Sequence, residues 1–198
     1  MKLTDVPQVI EIHESSWSKD EISVKLGFNY LQSFYQNVVR SPYSFGYIYV
    51  DYGRVIGYAT GFYDYYSFNR SFRNSALFNL LCIVTRQLLG RKIWLTDLIN
   101  LVMDDKKLHN AKYPKHHLGA LALDNEYKGT DTGKAAITQT IGAVLSELKG
   151  KGYPGCWGLC DVQNIPMRKY LINLGFEETD IVKFIGKSVV LYEKTFDF

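Results

Sequence analysis

The residues from Leu118 to Phe176 carry the chemistry this chain can offer. An apolar run, Leu118-Gly-Ala-Leu-Ala-Leu123, leads into a glycine-bearing loop, Glu126-Tyr-Lys-Gly-Thr-Asp-Thr-Gly-Lys134, that opens a helix. A second run, Cys156 to Val162, is followed by Asn164, another helix and Leu174-Gly-Phe176. Glycines let backbone N–H groups approach phosphate oxygens closely, and a helix N-terminus adds partial positive charge. The order therefore suits a pyrophosphate held over Lys128, Gly129, Thr130, Asp131, Thr132, Gly133 and Lys134, with the rest of a long ligand between two strands. The loop also comes near a P-loop, because Gly129 and Gly133-Lys134 read as GxxxGK. That motif needs four intervening residues and Ser or Thr after the lysine; here there are three, and Ala135 follows.

The elements that must position this loop are readable from periodicity. Asp5 to Ser16 places Val6, Val9, Ile10 and Ile12 on one face of a short helix, with Thr4 or Asp5 as cap and Pro7 in the first turn. A second helix is expected over 19–39, with Ile22, Leu26, Tyr30, Leu31, Phe34 and Val38 inward, stopped by Ser41-Pro42. The period then changes to two. Tyr47 to Val50, a turn at Asp51-Tyr-Gly53, and Arg54 to Tyr63 read as an antiparallel hairpin. After the loop come a helix over 132–149, the strand Cys156 to Val162, a helix over 165–174, and closing strands over 176–185 and 188–195.

Residues 68–115 are an excursion. Leu77, Leu80, Leu81, Val84 and Leu88, then Leu95, Leu98, Ile99 and Val102, make two helical stripes broken near Gly90. Nine Lys and Arg stand there against three Asp, so this segment carries +6 and the remainder −3.

Composition bounds the answer. The chain has 198 residues, 46% apolar and 22% charged, as expected for one globular domain. A net charge of +3 does not call for nucleic acid. Cys82, Cys156 and Cys160 form no CxxC, and their odd number argues against a disulfide framework. Cys156 and Cys160 share one face of a strand, as core residues do. Met1 to Asp5 lacks a leader's apolar run, and the stretch 76–89 is too short to span a bilayer. The expected setting is cytoplasmic. No metal-ligating set is assigned.

Four features in this order, the strand, the Lys128-Gly-Thr-Asp-Thr-Gly133 loop, Asn164 and Leu174-Gly-Phe176, resemble the GNAT superfamily of acyl-CoA-dependent N-acyltransferases. The two N-terminal helices and the hairpin follow that fold's order as well. The family loop carries Gln or Arg, two variable residues, Gly, one variable residue, then Gly or Ala. Lys128 and Gly133 match, whereas Asp131 stands where a glycine is usual and sets a carboxylate beside two phosphates. The resemblance implies that Leu121-Ala122-Leu123 leaves backbone groups open to a pantetheine arm, with the Leu123 N–H as oxyanion donor. It implies that Asn164 contacts that arm, although an N-cap before Ile165-Pro166 is an equal reading. The family's usual proton-donating tyrosine, four residues before the glycine of Gly-Phe, is Leu171 here. Tyr170 stands about 100° round the helix. The family's basic residue, six positions before Leu123, is His117, beside His116; strand alternation lets only one of them face a cleft.

The expectation is one GNAT-like α/β (α+β) domain over 1–198, with a mixed, mostly antiparallel central sheet flanked by helices. A basic helical insertion over 68–115 falls between strands 3 and 4, and the first strand is shortened to Met1–Leu3 or lost. The implied activity is transfer of an acetyl group from acetyl-CoA to the amine of a small molecule or protein, by direct attack in a ternary complex. His117 would be the base and Leu123 the oxyanion donor. The competing expectation, set by Asp131 and Leu171, is a degenerate fold that serves as a binding module. The two apolar stripes of the insertion make a homodimer contact conceivable.

Overall fold

A computed structural model describes residues 1–90, 115–184 and 187–197. Helix α1 (Val6–Ser16) buries Val6, Val9, Ile10, Ile12 and also His13, which shares their face. No strand precedes it: Leu3–Asp5 makes a 3-10 turn, and the Met1 ammonium donates to the Gly46 carbonyl at 2.9 Å. The single helix expected over 19–39 is two, because Gly27 adopts φ +80 and ends the first. These are α2 (Ile22–Leu26) and α3 (Phe28–Arg40).

Strands β1 (Ser44–Asp51) and β2 (Arg54–Phe62) form the expected hairpin. Its two-residue turn places Tyr52 and Gly53 at φ 45 and 79, the type I′ geometry that matches strand twist. Asp64 caps α4 (Tyr65–Leu89), accepting from Ser67 N at 2.9 Å, so the insertion's first helix starts three residues before the expected 68. Phe68 and Phe72 pack on α3 at Phe34 and Val38. The second stripe, Leu95 to Val102, and the basic residues from Arg91 to Lys112 lie outside the described residues. The excursion closes on itself: Tyr65 N donates to the Lys115 carbonyl at 2.9 Å, and His116 Nδ1 meets the Tyr63 carbonyl at 2.7 Å.

The remaining elements are β3 (His117–Leu123), α5 (Asp131–Gly150), β4 (Gly155–Asp161), α6 (Ile165–Asn173), β5 (Glu177–Phe184) and β6 (Lys187–Thr195). The six strands run in the order β1-β2-β3-β4-β6-β5, antiparallel except for β3 and β4. With the first strand absent, the excursion falls between β2 and β3. Helix α5 covers β1 to β3, where Ile141, Val144 and Leu148 join Ala59 and Leu118 in the largest core. Helix α6 lies on the same face toward β4 and β6, through Leu171 and through Arg168, which reaches the Tyr192 hydroxyl. The opposite face carries α1 and α3, whose Val9, Ile10, Leu31 and Tyr35 pack on Val55, Tyr58 and Ala122. Cys156 and Cys160 are buried, and burial pushes their thiols up to about 12 and about 11, so they serve as core.

Candidate active site

The site is built where β3 and β4 part. These parallel strands are partnered only at His117↔Trp157 and Leu118↔Gly158. From Gly119 to Leu123, β3 faces β4 with no ladder between them. Against β2 the register shifts between Ala59 and Gly61, and Thr60 Oγ1 fills the irregularity by donating to the Ala120 carbonyl at 3.0 Å. Gly119 is required there, since a Cβ would stand 2.3 Å from the Phe62 ring and 2.6 Å from Thr60 Oγ1. Beyond the bulge the ladder resumes, and Asp124 N donates to the Ile56 carbonyl at 2.8 Å. Antiparallel ladders alternate, so the backbone groups of Leu123 and Leu121 point away from β2, into the opening. Ser16 Oγ takes the Leu123 carbonyl at 2.6 Å. The Leu123 N–H remains as a donor aimed between the strands.

The loop that follows is anchored from two sides. Arg54 bonds Asp124 at 2.6 Å and Glu126 at 3.1 Å, and Asn125 donates to the Ser15 carbonyl at 2.8 Å. Gly129 needs its glycine, at φ +82. The cap of α5 is Thr130, whose Oγ1 accepts from Gly133 N at 3.0 Å and donates to the Tyr127 carbonyl at 2.8 Å. Asp131 is therefore not the cap, although its type suits that position. It occupies the first helical position with its carboxylate 98% exposed, 2.9 Å from Lys134 Nζ. The lysine holds the Asp131 carboxyl below its ordinary range. Gly133 is packed against the loop itself: a Cβ would lie 2.0 Å from the Tyr127 carbonyl oxygen. Among the described residues nothing accepts from the N–H groups of Asp131 and Thr132, which open outward at the positive end of a 20-residue helix.

These residues fit a long diphosphate ligand: two free N–H groups at a helix N-terminus, the exposed Lys128 beside them, and an open strand edge leading to Leu123. Asp131 fits by turning to Lys134 and out of the cradle. On the far lip, Asn164 caps α6, with Oδ1 accepting from Met167 N at 3.2 Å. Its amide N–H₂ has no other partner among the described residues. Leu171 points into the core, 3% exposed. Tyr170 is the residue that faces the α5–α6 groove above the opening, and its hydroxyl donates across that groove to Thr138 Oγ1 at 2.8 Å.

His117 is not brought to the opening. Its ring stacks on Trp157 at 4.0 Å, meets Tyr65 edge-on at 4.7 Å, and lies 5.6 Å from Phe62. Nδ1 is buried without a partner, and burial lowers its pKa to about 3. With Nδ1 buried and the ring packed among Phe62, Tyr65 and Trp157, the expected base is corrected to a residue of the core. His116 stacks on Tyr153 at 3.8 Å, turned away from β4's free edge. Reading by type missed Ser16, the capping role of Thr130 and the buried His13. The last could have been found, since His13 continues the Val6, Val9, Ile10 stripe at helical spacing.

Comparison with known proteins agrees with this geometry. The chain matches the polyamine N-acetyltransferase of Drosophila melanogaster at 12% identity, covering 99% of this chain and 97% of that one with a TM-score of 0.63. It matches an N-acetyltransferase from Staphylococcus aureus Mu50 at 13% identity over 98% and 94% of the two chains, TM-score 0.59. A PaiA N-acetyltransferase from Thermoplasma acidophilum, determined with coenzyme A, matches at 16% identity over 99% and 96%, TM-score 0.53. No protein-family model and no curated protein matches the chain. The chain has the GNAT fold.

Proposed function

We propose that this chain is an N-acetyltransferase that moves an acetyl group from acetyl-CoA to a primary amine by direct attack in a ternary complex. The observation that carries the reading is the parting of β3 from β4 with the Leu123 N–H aimed into the gap, next to a helix N-terminus with two free donors. Bound acetyl-CoA supplies the thioester whose carbonyl the amine attacks. The free N–H groups of Asp131 and Thr132, with the Lys128 side chain, would hold the diphosphate. Leu121 and Ala122 border the arm along the strand, and the Asn164 amide steadies it from the opposite lip. The Leu123 N–H donates to the carbonyl oxygen as charge gathers there. A preorganised donor of that kind contributes about 3–4 kcal/mol where it has been removed in other enzymes.

Thermal unfolding with acetyl-CoA, CoA and ATP tests this. At a hundred times its dissociation constant a ligand stabilises by about 2.7 kcal/mol, a shift of roughly 5–11 °C for a domain of this size. Both CoA forms are expected to shift the midpoint and ATP is not; no shift with either CoA form sinks the proposal. A binding module that does not turn over is the second reading. One observation favours it: His117 is packed into the core, and the family's acid position is the apolar, buried Leu171. Binding of acetyl-CoA without acetylation of any amine in a mass-spectrometric screen would select it.

A further inference from the structure

The connection from α1 to α2 fastens to both lips of the opening. At the β3 lip, Ser16 Oγ holds the Leu123 carbonyl at 2.6 Å. At the β4 lip the fastening runs through β6. Val162, the residue after β4, donates its N–H to the Ser188 carbonyl at 3.3 Å, and the adjacent Lys187 gives its Nζ to Glu21 at 2.7 Å. The two fastenings lie at one level. The last partners of the β3–β4 ladder are Leu118 and Gly158. Leu123 stands five residues beyond, one of them taken up by the bulge against β2, and Val162 stands four beyond. Residues 17–21 thus form a strap across the mouth of the gap, on the α1 side and at the level of the Leu123 N–H.

The roots of the strap are held firmly. Trp17 stacks on the His13 imidazole at 4.6 Å and its side chain bonds the Tyr58 hydroxyl. At the other root Ile22 is buried, and Ser23 Oγ is 3.0 Å from His13 Nε2. His13 Nδ1 lies 2.7 Å from the Tyr35 hydroxyl and 2.9 Å from the Tyr58 hydroxyl, which are 2.7 Å apart. Both buried O–H groups find acceptors only if Nδ1 offers its lone pair. The middle of the strap has no such support. Ser18, Lys19 and Asp20 are exposed, and their bonds are local: Asp20 N donates to Ser18 Oγ at 3.3 Å and Glu21 N to the Ser18 carbonyl at 2.9 Å. Among the described residues, the Lys187–Glu21 pair is the one bond that ties residues 18–21 to the far lip. Its side chains are 30% and 22% exposed, so water and salt reach it. A segment with fixed roots, no apolar side chain between them and a single ionic tie is a local opening unit.

We propose that residues 18–21 are a cover over the mouth of the gap, latched by the Lys187–Glu21 pair, and that opening this latch admits the amine. The helix N-terminus that would hold the diphosphate lies on the α5 side of the sheet and the strap on the α1 side. A cofactor arm filling the gap from the first side leaves the second as its partner's way in. The gating of an amine rests on the acetyltransferase reading; the latch does not. Hydrogen exchange by NMR at pH 7 reads the latch. In the native chain the Glu21 amide should exchange faster than those of Val9 and Ile10, at a rate that low urea does not change; exchange of Glu21 together with that core overturns the proposal. Lys187→Met removes the tie without touching the strap's own sequence, so the Glu21 amide should exchange about fivefold faster, whereas Lys187→Arg should match the native chain. An unchanged Glu21 rate in Lys187→Met overturns the latch. Hydroxylamine, offered with acetyl-CoA, reads the gate. Its kcat/KM should rise by the same factor, about fivefold, in Lys187→Met, with acetyl-CoA affinity unaltered, because the open fraction multiplies the rate of entry. An equal or lower kcat/KM overturns the gate, as does absence of turnover in every variant. If acetyl-CoA fails to bind while the Glu21 amide responds, the acetyltransferase reading falls and the latch stands.

Discussion

Two buried histidines make this fold sensitive to mild acid, and the size of the effect can be worked out. His13 cannot protonate Nδ1 without orphaning a tyrosine hydroxyl, and burial lowers its pKa to about 4. His117, enclosed by Phe62, Tyr65 and Trp157, is lowered to about 3 by the same cause. In the unfolded chain both titrate near 6.5. Below that value the unfolded state binds one more proton per histidine than the native state. Stability is thus fully present above pH 6.5 and falls as pH drops, by about 1.4 kcal/mol per unit per group, until each folded pKa is reached. Between pH 7 and pH 5 each histidine costs about 2 kcal/mol, together about 4, out of the 5–15 kcal/mol typical of a domain. For a chain of this length that lowers the melting midpoint by roughly 8–16 °C. Carboxyls held low by partners, Glu178 by Tyr192 and Arg168 and Asp131 by Lys134, lose their contribution only in stronger acid. Calorimetric melts from pH 8 to pH 5 on the native chain and on His117→Phe provide the assay. Phenylalanine keeps the ring stack and removes one titration, so the loss at pH 5 should shrink by about half. A native midpoint that is flat from pH 7 to pH 5, or an unaltered slope in His117→Phe, would refute the reasoning.

Two substitutions probe the site. Gly133→Ala would drive a Cβ to 2.0 Å from the Tyr127 carbonyl oxygen, so a destabilisation of about 1–3 kcal/mol is expected in urea melts, with weakened CoA binding by calorimetry. An unchanged midpoint and affinity would mean that the close approach does not shape the loop. Leu171→Tyr, which installs the tyrosine usual in GNAT enzymes, should fail to raise kcat and should cost about 1–3 kcal/mol, because that position points into the core. A gain in kcat would show that α6 can turn this position to the groove.

Most of the architecture could be read from periodicity because the pattern changes sharply where the elements change. The helical stripe of Val6, Val9 and Ile10 and the alternation of β2 leave little choice. Long-range geometry was less legible. Gly27 ends a helix only because its φ is positive, and a glycine within an apolar stripe does not announce that. Thr130 and Asp131 are both good caps by type; what decides between them is the fit of Gly133 beneath Tyr127, a contact between residues six apart. His117 sat at the family's basic position, yet Tyr65 and Trp157, distant in sequence, close over it. The hydrogen-bonded cluster around His13 draws on α1, α2, α3 and β2, so no single stretch of sequence displays it.

The clamp at the base of the excursion has a consequence for how this protein can change over evolutionary time. Tyr65 and Lys115, with Tyr63 and His116, join the outgoing and returning chain by hydrogen bonds of 2.9 and 2.7 Å. The sheet therefore senses a short bridge between β2 and β3, whatever length of chain lies beyond it. Closing a loop of twice the length costs only about 0.6 kcal/mol more, so material can be gained, lost or exchanged there without moving the register at Leu123. Phe68 and Phe72, and farther along α4 Ile83, Val84 and Leu88 against Ile22 and Leu26, set the inner limit, since they pack on the fold. Beyond them the chain is a graft point, where new recognition surfaces can be tried while the parted strands stay as they are.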